Sequence, residues 1–272
     1  MATKKAITSN KKSIAATKTT VKTVSASSRG GVSNHLQSAI QSPKLWKALA
    51  AEFIGTFLLA SVIIVGQGQP IFVLFGLVGI VLLIGALSGA HVNPAITIGA
   101  WATRRIGWLR ALGYIVVQFL GAAIAFFTLS WFVGGAAAVS QEAAAYGQAA
   151  PTLFAAVDIT TLVGKEWYVF FAEILGVAIL ALAVATAGRN TERLGAAFTV
   201  GLGIFIALMV TLTVTGFVGG SAIINPAVAV ALQAYTWQWV PFVVYAAAPI
   251  IGGVLGFVIH DVLNGRPQRT AE

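Results

Sequence analysis

The sequence predicts an all-α polytopic membrane protein with six transmembrane helices and two re-entrant half-helices, arranged as an inverted repeat. Three observations carry that expectation. The 272 residues are 58% hydrophobic and only 9% charged, with a mean hydropathy of +0.88, against about 25% charged residues in an average soluble protein. Two Asn-Pro-Ala triplets, Asn93-Pro94-Ala95 and Asn225-Pro226-Ala227, stand inside very apolar sequence. The residues that flank each triplet also recur in the same order in both halves of the chain.

In chain order, residues 1–47 come first, as a basic tail. They hold Lys4, Lys5, Lys11, Lys12, Lys18, Lys22, Arg29, Lys44 and Lys47 and no acid, and much of the rest is Ser, Thr and Ala. Such a composition buries no core, so a disordered cytoplasmic tail near anionic lipid is expected. A transit peptide would be Arg-rich where this is Lys-rich, and a secretory signal would carry an apolar stretch that is missing. Nothing aromatic interleaves the lysines before Trp46, which argues against nucleic acid as a partner.

Residues 48–262 form the membrane domain: repeat one at 48–134, a connector at 135–165, and repeat two at 166–262. Full spans are expected at about 48–66, 70–87, 109–132, 166–187, 194–214 and 239–262. Trp46, Trp108, Trp131, Trp167, Trp237 and Trp239 fall near span ends, where indole rings anchor at the interface. Each Asn-Pro-Ala triplet reads as an abrupt helix start. Asn caps the first turn through its side-chain oxygen, and Pro at the first helical position has no N–H to leave unpaired. The first such helix is expected to run to about Thr103 and the second to about Tyr235. Ten or so residues at 1.5 Å each reach about 15 Å, half of a hydrocarbon core of about 30 Å. Two such segments from opposite faces meet near the midplane with their positive dipole ends together.

The charges set the orientation. Arg104, Arg105 and Arg110 follow the first half-helix, Arg189 and Arg193 lie between spans four and five, and Arg266 and Arg269 lie in a C-terminal tail at 263–272. Six spans with both termini cytoplasmic place all of these on one side, as the positive-inside rule requires. The net charge of +9 is thus uneven along the chain. The repeat is legible in Ala51-Glu52-Phe53-Ile54-Gly55 against Ala172-Glu173-Ile174-Leu175-Gly176, and in Tyr114, Gln118, Gly121 and Ala122 against Tyr245, Pro249, Gly252 and Gly253. Three spans is an odd number, so the second copy must be inverted in the membrane.

With Ser88-Gly89-Ala90-His91-Val92-Asn93-Pro94-Ala95, a second Asn225-Pro226-Ala227 and the duplicated Ala-Glu-x-x-Gly, the chain resembles the aquaporin and aquaglyceroporin (major intrinsic protein) family over about residues 48–262. The resemblance implies a plasma-membrane homotetramer with one pore per subunit, passing water or small neutral solutes. It implies that Asn93 and Asn225 donate side-chain N–H bonds to permeating molecules, while Pro94, Ala95, Pro226 and Ala227 hold the half-helices together. It also places a selectivity filter at Val73, Thr213, Ala222 and Val228, with Phe75 as an alternative to Val73. The family usually carries Arg where this chain has Val228, and a wider, more apolar constriction is the expected consequence.

Glu52 and Glu173 sit inside spans, where a carboxylate is costly. Their matched placement points to accepting backbone N–H bonds from the re-entrant loops, and a proton relay in a coupled transporter is the competing use. A pore-closed scaffold is the other competing role for the whole protein. His91 is expected to pack and hydrogen-bond within its loop rather than bind a metal. With no Cys, thiolate chemistry is excluded, and no nucleophile–base pair, metal-ligand cluster or phosphate loop suggests an enzyme or a cofactor.

Overall fold

The computed structural model describes residues 40–135 and 152–265, together with positions 37, 140, 141 and 145–147. Its helices are α1 (Pro43–Val65), α2 (Pro70–Ser88), α3 (Pro94–Ala102), α4 (Trp108–Gly134), α5 (Glu166–Ala187), α6 (Arg193–Gly216), α7 (Pro226–Ala231) and α8 (Trp239–Asn264). All but α3 and α7 are long and apolar enough to cross a membrane, giving 6 such helices among the described residues. Pro opens α1, α2, α3 and α7, where its ring pre-sets the first turn. A π turn at Val243–Ala247 interrupts α8.

Two boundaries differ from the sequence-based expectation. The first span starts at Pro43, so Lys44 and Lys47 ride on its first turns rather than in the tail. Lys4 through Arg29, Glu142, Arg266 and Arg269 lie outside the described residues. The second half-helix ends after 6 residues, about 9 Å at 1.5 Å per residue, well short of Tyr235. Gln233 there takes a left-handed φ of 57° and the Ala234 N–H reaches back to the Ala229 carbonyl, a closing bond that stops the helix. α3 ends the same way, with Arg104 at φ 64° and the Arg105 N–H on the Ala100 carbonyl.

The helices pair as the repeat requires. α1 packs on α2 and α4, and α5 packs on α6 and α8. A Cβ on Gly121 would run into the Phe53 carbonyl, and one on Gly252 into the Ile174 carbonyl. These are corresponding contacts, since Phe53 and Ile174 each follow the repeat's glutamate. Small residues thus let backbones touch where lipid supplies no hydrophobic drive between helices. α3 crosses α8 and α7 crosses α4, so each half-helix leans on the last span of the other repeat. The outward surface carries Phe72, Phe75, Leu83, Phe127 and Phe171, which suits hydrocarbon. All six expected anchor tryptophans are exposed.

Candidate functional site

The loops that lead into the half-helices bend through conformations that β-branched residues rarely adopt. Val92 has φ 41° and Ile224 has φ 50°, each the residue just before an Asn. Such strain persists only where the surroundings fix it, and here a buried carboxylate does so. Glu52 accepts the His91 and Val92 N–H groups at 2.9 and 2.7 Å, and Glu173 accepts those of Ile223 and Ile224, both at 2.7 Å. Both glutamates are 0% exposed. Each turns two backbone donors inward toward itself and leaves the loop's carbonyls to face the other repeat.

Those carbonyls meet the asparagines. The Asn93 side-chain Nδ2 donates to the Ile224 carbonyl and the Asn225 Nδ2 donates to the Val92 carbonyl, both at 2.9 Å. The same side chains cap their own helices: Asn93 Oδ1 accepts the Ala95 N–H, and Asn225 Oδ1 accepts those of Ala227 and Val228. Every amide therefore ties its own half-helix start to the opposite loop, and the two tips abut. A primary amide has two N–H donors, so each Nδ2 retains one after this bond. Pro94, Ala95, Pro226 and Ala227 are all buried around the junction.

The first repeat adds a polar network. Gln118 Nε2 donates to Glu52 and to Thr97. The His91 ring nitrogen Nδ1 lies 3.2 Å from Thr97 Oγ1, its ring meets Tyr114 edge to face, and the Tyr114 hydroxyl donates to the Ser88 carbonyl. In the second repeat the Tyr235 hydroxyl bonds the Pro226 and Tyr245 carbonyls. Beyond it, the end of the connector comes down on the site. The Ala156 N–H donates to the Leu232 carbonyl and the Val157 N–H to Ser221 Oγ. No group of three or more His, Asp or Glu that could hold a metal occurs among the described residues.

The four filter positions do not come together as the sequence suggests. Thr213 lies on the exposed stripe of α6 with Phe198, Leu202, Ile206 and Met209, and its hydroxyl turns back to the Met209 carbonyl. Its near neighbour Thr211 faces Gly176, as Ile224 does from the loop, and two residues correspond to about 160° around a helix. Thr213 is thus corrected to an outward position, and Thr211 and Thr215 occupy the buried face. Phe75 also points outward. Val228 is 0% exposed and Val73 is 1% exposed, and both belong to the buried cluster that holds Leu77 and Leu208. Both side chains present only aliphatic groups to that cluster, with no charge or hydrogen-bond donor of their own. Ala222 remains partly exposed.

On the side of the α3–α4 and α5–α6 loops, a cavity of about 1180 Å³ leads in to Ser88, Ala90 and His91, and Arg104, Arg105, Arg189 and Arg193 line it. The positive-inside pattern puts these arginines on one membrane face, and the fold brings them to one cavity.

A family model described as major intrinsic protein matches residues 39–260. Aquaporin AqpM of Methanothermobacter marburgensis is 29% identical over 81% of this chain and 98% of its own length. The lens fiber major intrinsic protein of Rattus norvegicus is 31% identical over 82% and 83%, and a glycerol uptake facilitator protein-like protein of Lactiplantibacillus plantarum is 29% identical over 79% and 96%. Among solved structures, the aquaglyceroporin from Plasmodium falciparum superposes with a TM-score of 0.58 at 22% identity, over 80% of this chain and 96% of that one, a likeness in fold.

Proposed function

The chain belongs to the major intrinsic protein family, and from that premise we propose that it is a passive transmembrane channel for water and small neutral solutes such as glycerol, urea or ammonia. The observation that carries this reading is the reciprocal pair of bonds from Asn93 to Ile224 and from Asn225 to Val92. It supports two half-helix starts meeting inside the membrane, each with one amide N–H left for the oxygen of a passing solute. A neutral molecule can exchange hydrogen bonds there. A cation meets two positive helix ends and loses hydration that nothing restores. Val228 offers neither charge nor donor, so discrimination at the outer side rests on size and on apolar walls.

Arg104, Arg105, Arg189 and Arg193 support an orientation with this mouth and both termini in the cytoplasm, in a plasma-membrane homotetramer with one pore per subunit. The two glutamates each hold a pair of backbone N–H groups, an arrangement that supports a structural use over a proton relay. The buried state of Val73 and Val228 favours one second reading, a pore-closed scaffold. Stopped-flow light scattering on vesicles carrying the full chain separates these. The channel reading expects osmotic water flow above bare lipid, with glycerol and urea entering down their own gradients and no pH-driven uptake. Val228→Arg is expected to narrow the solute range. No osmotic response above bare lipid sinks the channel and leaves the scaffold.

A further inference from the structure

We infer that the arginine-lined cavity binds a phosphate-bearing anion, and that an anion seated there stands across the path to the half-helix junction. The cavity holds about 1180 Å³, and its described lining residues include four arginines and no Asp or Glu. Among the described residues, only Arg105 of the four has a carboxylate partner, meeting both oxygens of Asp261. Arg189 donates to the Asn264 and Gly265 carbonyls and Arg193 to the Leu82 carbonyl, which orients these guanidiniums without cancelling their charge. The Arg104 guanidinium makes no hydrogen bond among the described residues, and Arg104 is exposed at the rim. The nearby Glu192 spends its oxygens on the Leu194 and Gly195 N–H groups.

A concave wall of one charge sign focuses its field into the cavity. Guanidinium forks match phosphate oxygens in pairs. The positive-inside bias accounts for arginines at this membrane face. It would be met equally by side chains splayed toward the headgroups, and it does not require four of them to converge on one cavity with no acid among its described lining residues. Neutral solutes gain nothing from these charges. The ligand chemistry is a phosphate ester or condensed phosphate, and its source is either a free solute or the headgroup of an anionic lipid leaning into the mouth.

Calorimetric titration of inorganic pyrophosphate into the full chain in detergent tests the site without reference to transport. Saturable binding is expected in sodium chloride buffer. Replacing both Arg104→Gln and Arg193→Gln should weaken it at least about tenfold, while Arg104→Lys with Arg193→Lys should retain it and show that the fold survives change at these positions. Absence of saturable binding, or equal binding by the Gln pair, overturns the site. Osmotic flow then tests the obstruction and identifies the source. If the source is free, pyrophosphate on the arginine side lowers flow. If it is lipid, flow is lower in phosphatidylglycerol vesicles than in phosphatidylcholine vesicles, and the Gln pair erases the difference. Flow indifferent to both agents overturns the obstruction. A chain with no flow at all refutes the channel reading but leaves the calorimetry to decide the site.

Discussion

In the first repeat, the carboxylate of Glu52 receives two backbone N–H groups and the Gln118 amide, with Thr97 and His91 beside it. In the second, Glu173 receives two backbone N–H groups, and the positions matching Gln118, Thr97 and His91 are Pro249, Ala229 and Ile223. Both loops nonetheless reach the same conformation at Val92 and Ile224 and hand a carbonyl to the opposite Asn. The difference separates what the fold requires from what one half adds. A carboxylate that accepts two N–H groups and an Asn that both caps and crosses are common to the halves. The amide, hydroxyl and imidazole network is particular to the first.

The largest test of that division removes the carboxylates. Glu52→Ala leaves two backbone N–H groups and one Gln118 donor without their acceptor, and Glu173→Ala leaves two. At about 1–3 kcal/mol for each buried group left unpaired, both variants should lose several kcal/mol, with Glu52→Ala the worse. Thermal melting in detergent orders them, and equal losses would show that Gln118 contributes nothing. Next come Gly121→Ala and Gly252→Ala, whose new methyls meet the carbonyls of Phe53 and Ile174. These should cost about 1–3 kcal/mol each and match one another, because this contact is shared. A large inequality would break the repeat symmetry. The smallest effect is expected at the paired tyrosines. Tyr114→Phe loses a hydroxyl bond to the Ser88 carbonyl and should cost about 1 kcal/mol. The Tyr245 hydroxyl is buried with no hydrogen-bond partner among the described residues, so Tyr245→Phe should be neutral or slightly stabilising in the same melting assay.

Much of this was legible before any coordinates. Long apolar runs fixed the spans, because a bilayer leaves a helix as the way to pair every backbone group. The triplets located the half-helices, since Asn and Pro each have a definite use at a helix start. Matched glutamates flagged the loop supports. Three things escaped. The end of α7 depends on left-handed Gln233, a residue with no strong signature for that conformation. The Gln118–Glu52 bond joins residues 66 apart, which spacing cannot show. Thr213 escaped because a position implied by the family resemblance takes no account of this helix's own phase. The outward stripe Phe198, Leu202, Ile206 and Met209 recurs every three or four residues, and counting along it would have turned Thr213 to the lipid and Thr211 and Thr215 inward.

The account depends most on the tip-to-tip junction, and an experimental density map of the full chain in a lipid nanodisc tests it most directly. Both asparagine amides should lie within hydrogen-bond reach of the opposite loop, Asn93 on the Ile224 carbonyl and Asn225 on the Val92 carbonyl, each near 2.9 Å. Asparagines separated by lipid or side chains, or either half-helix lying among the headgroups, would contradict it.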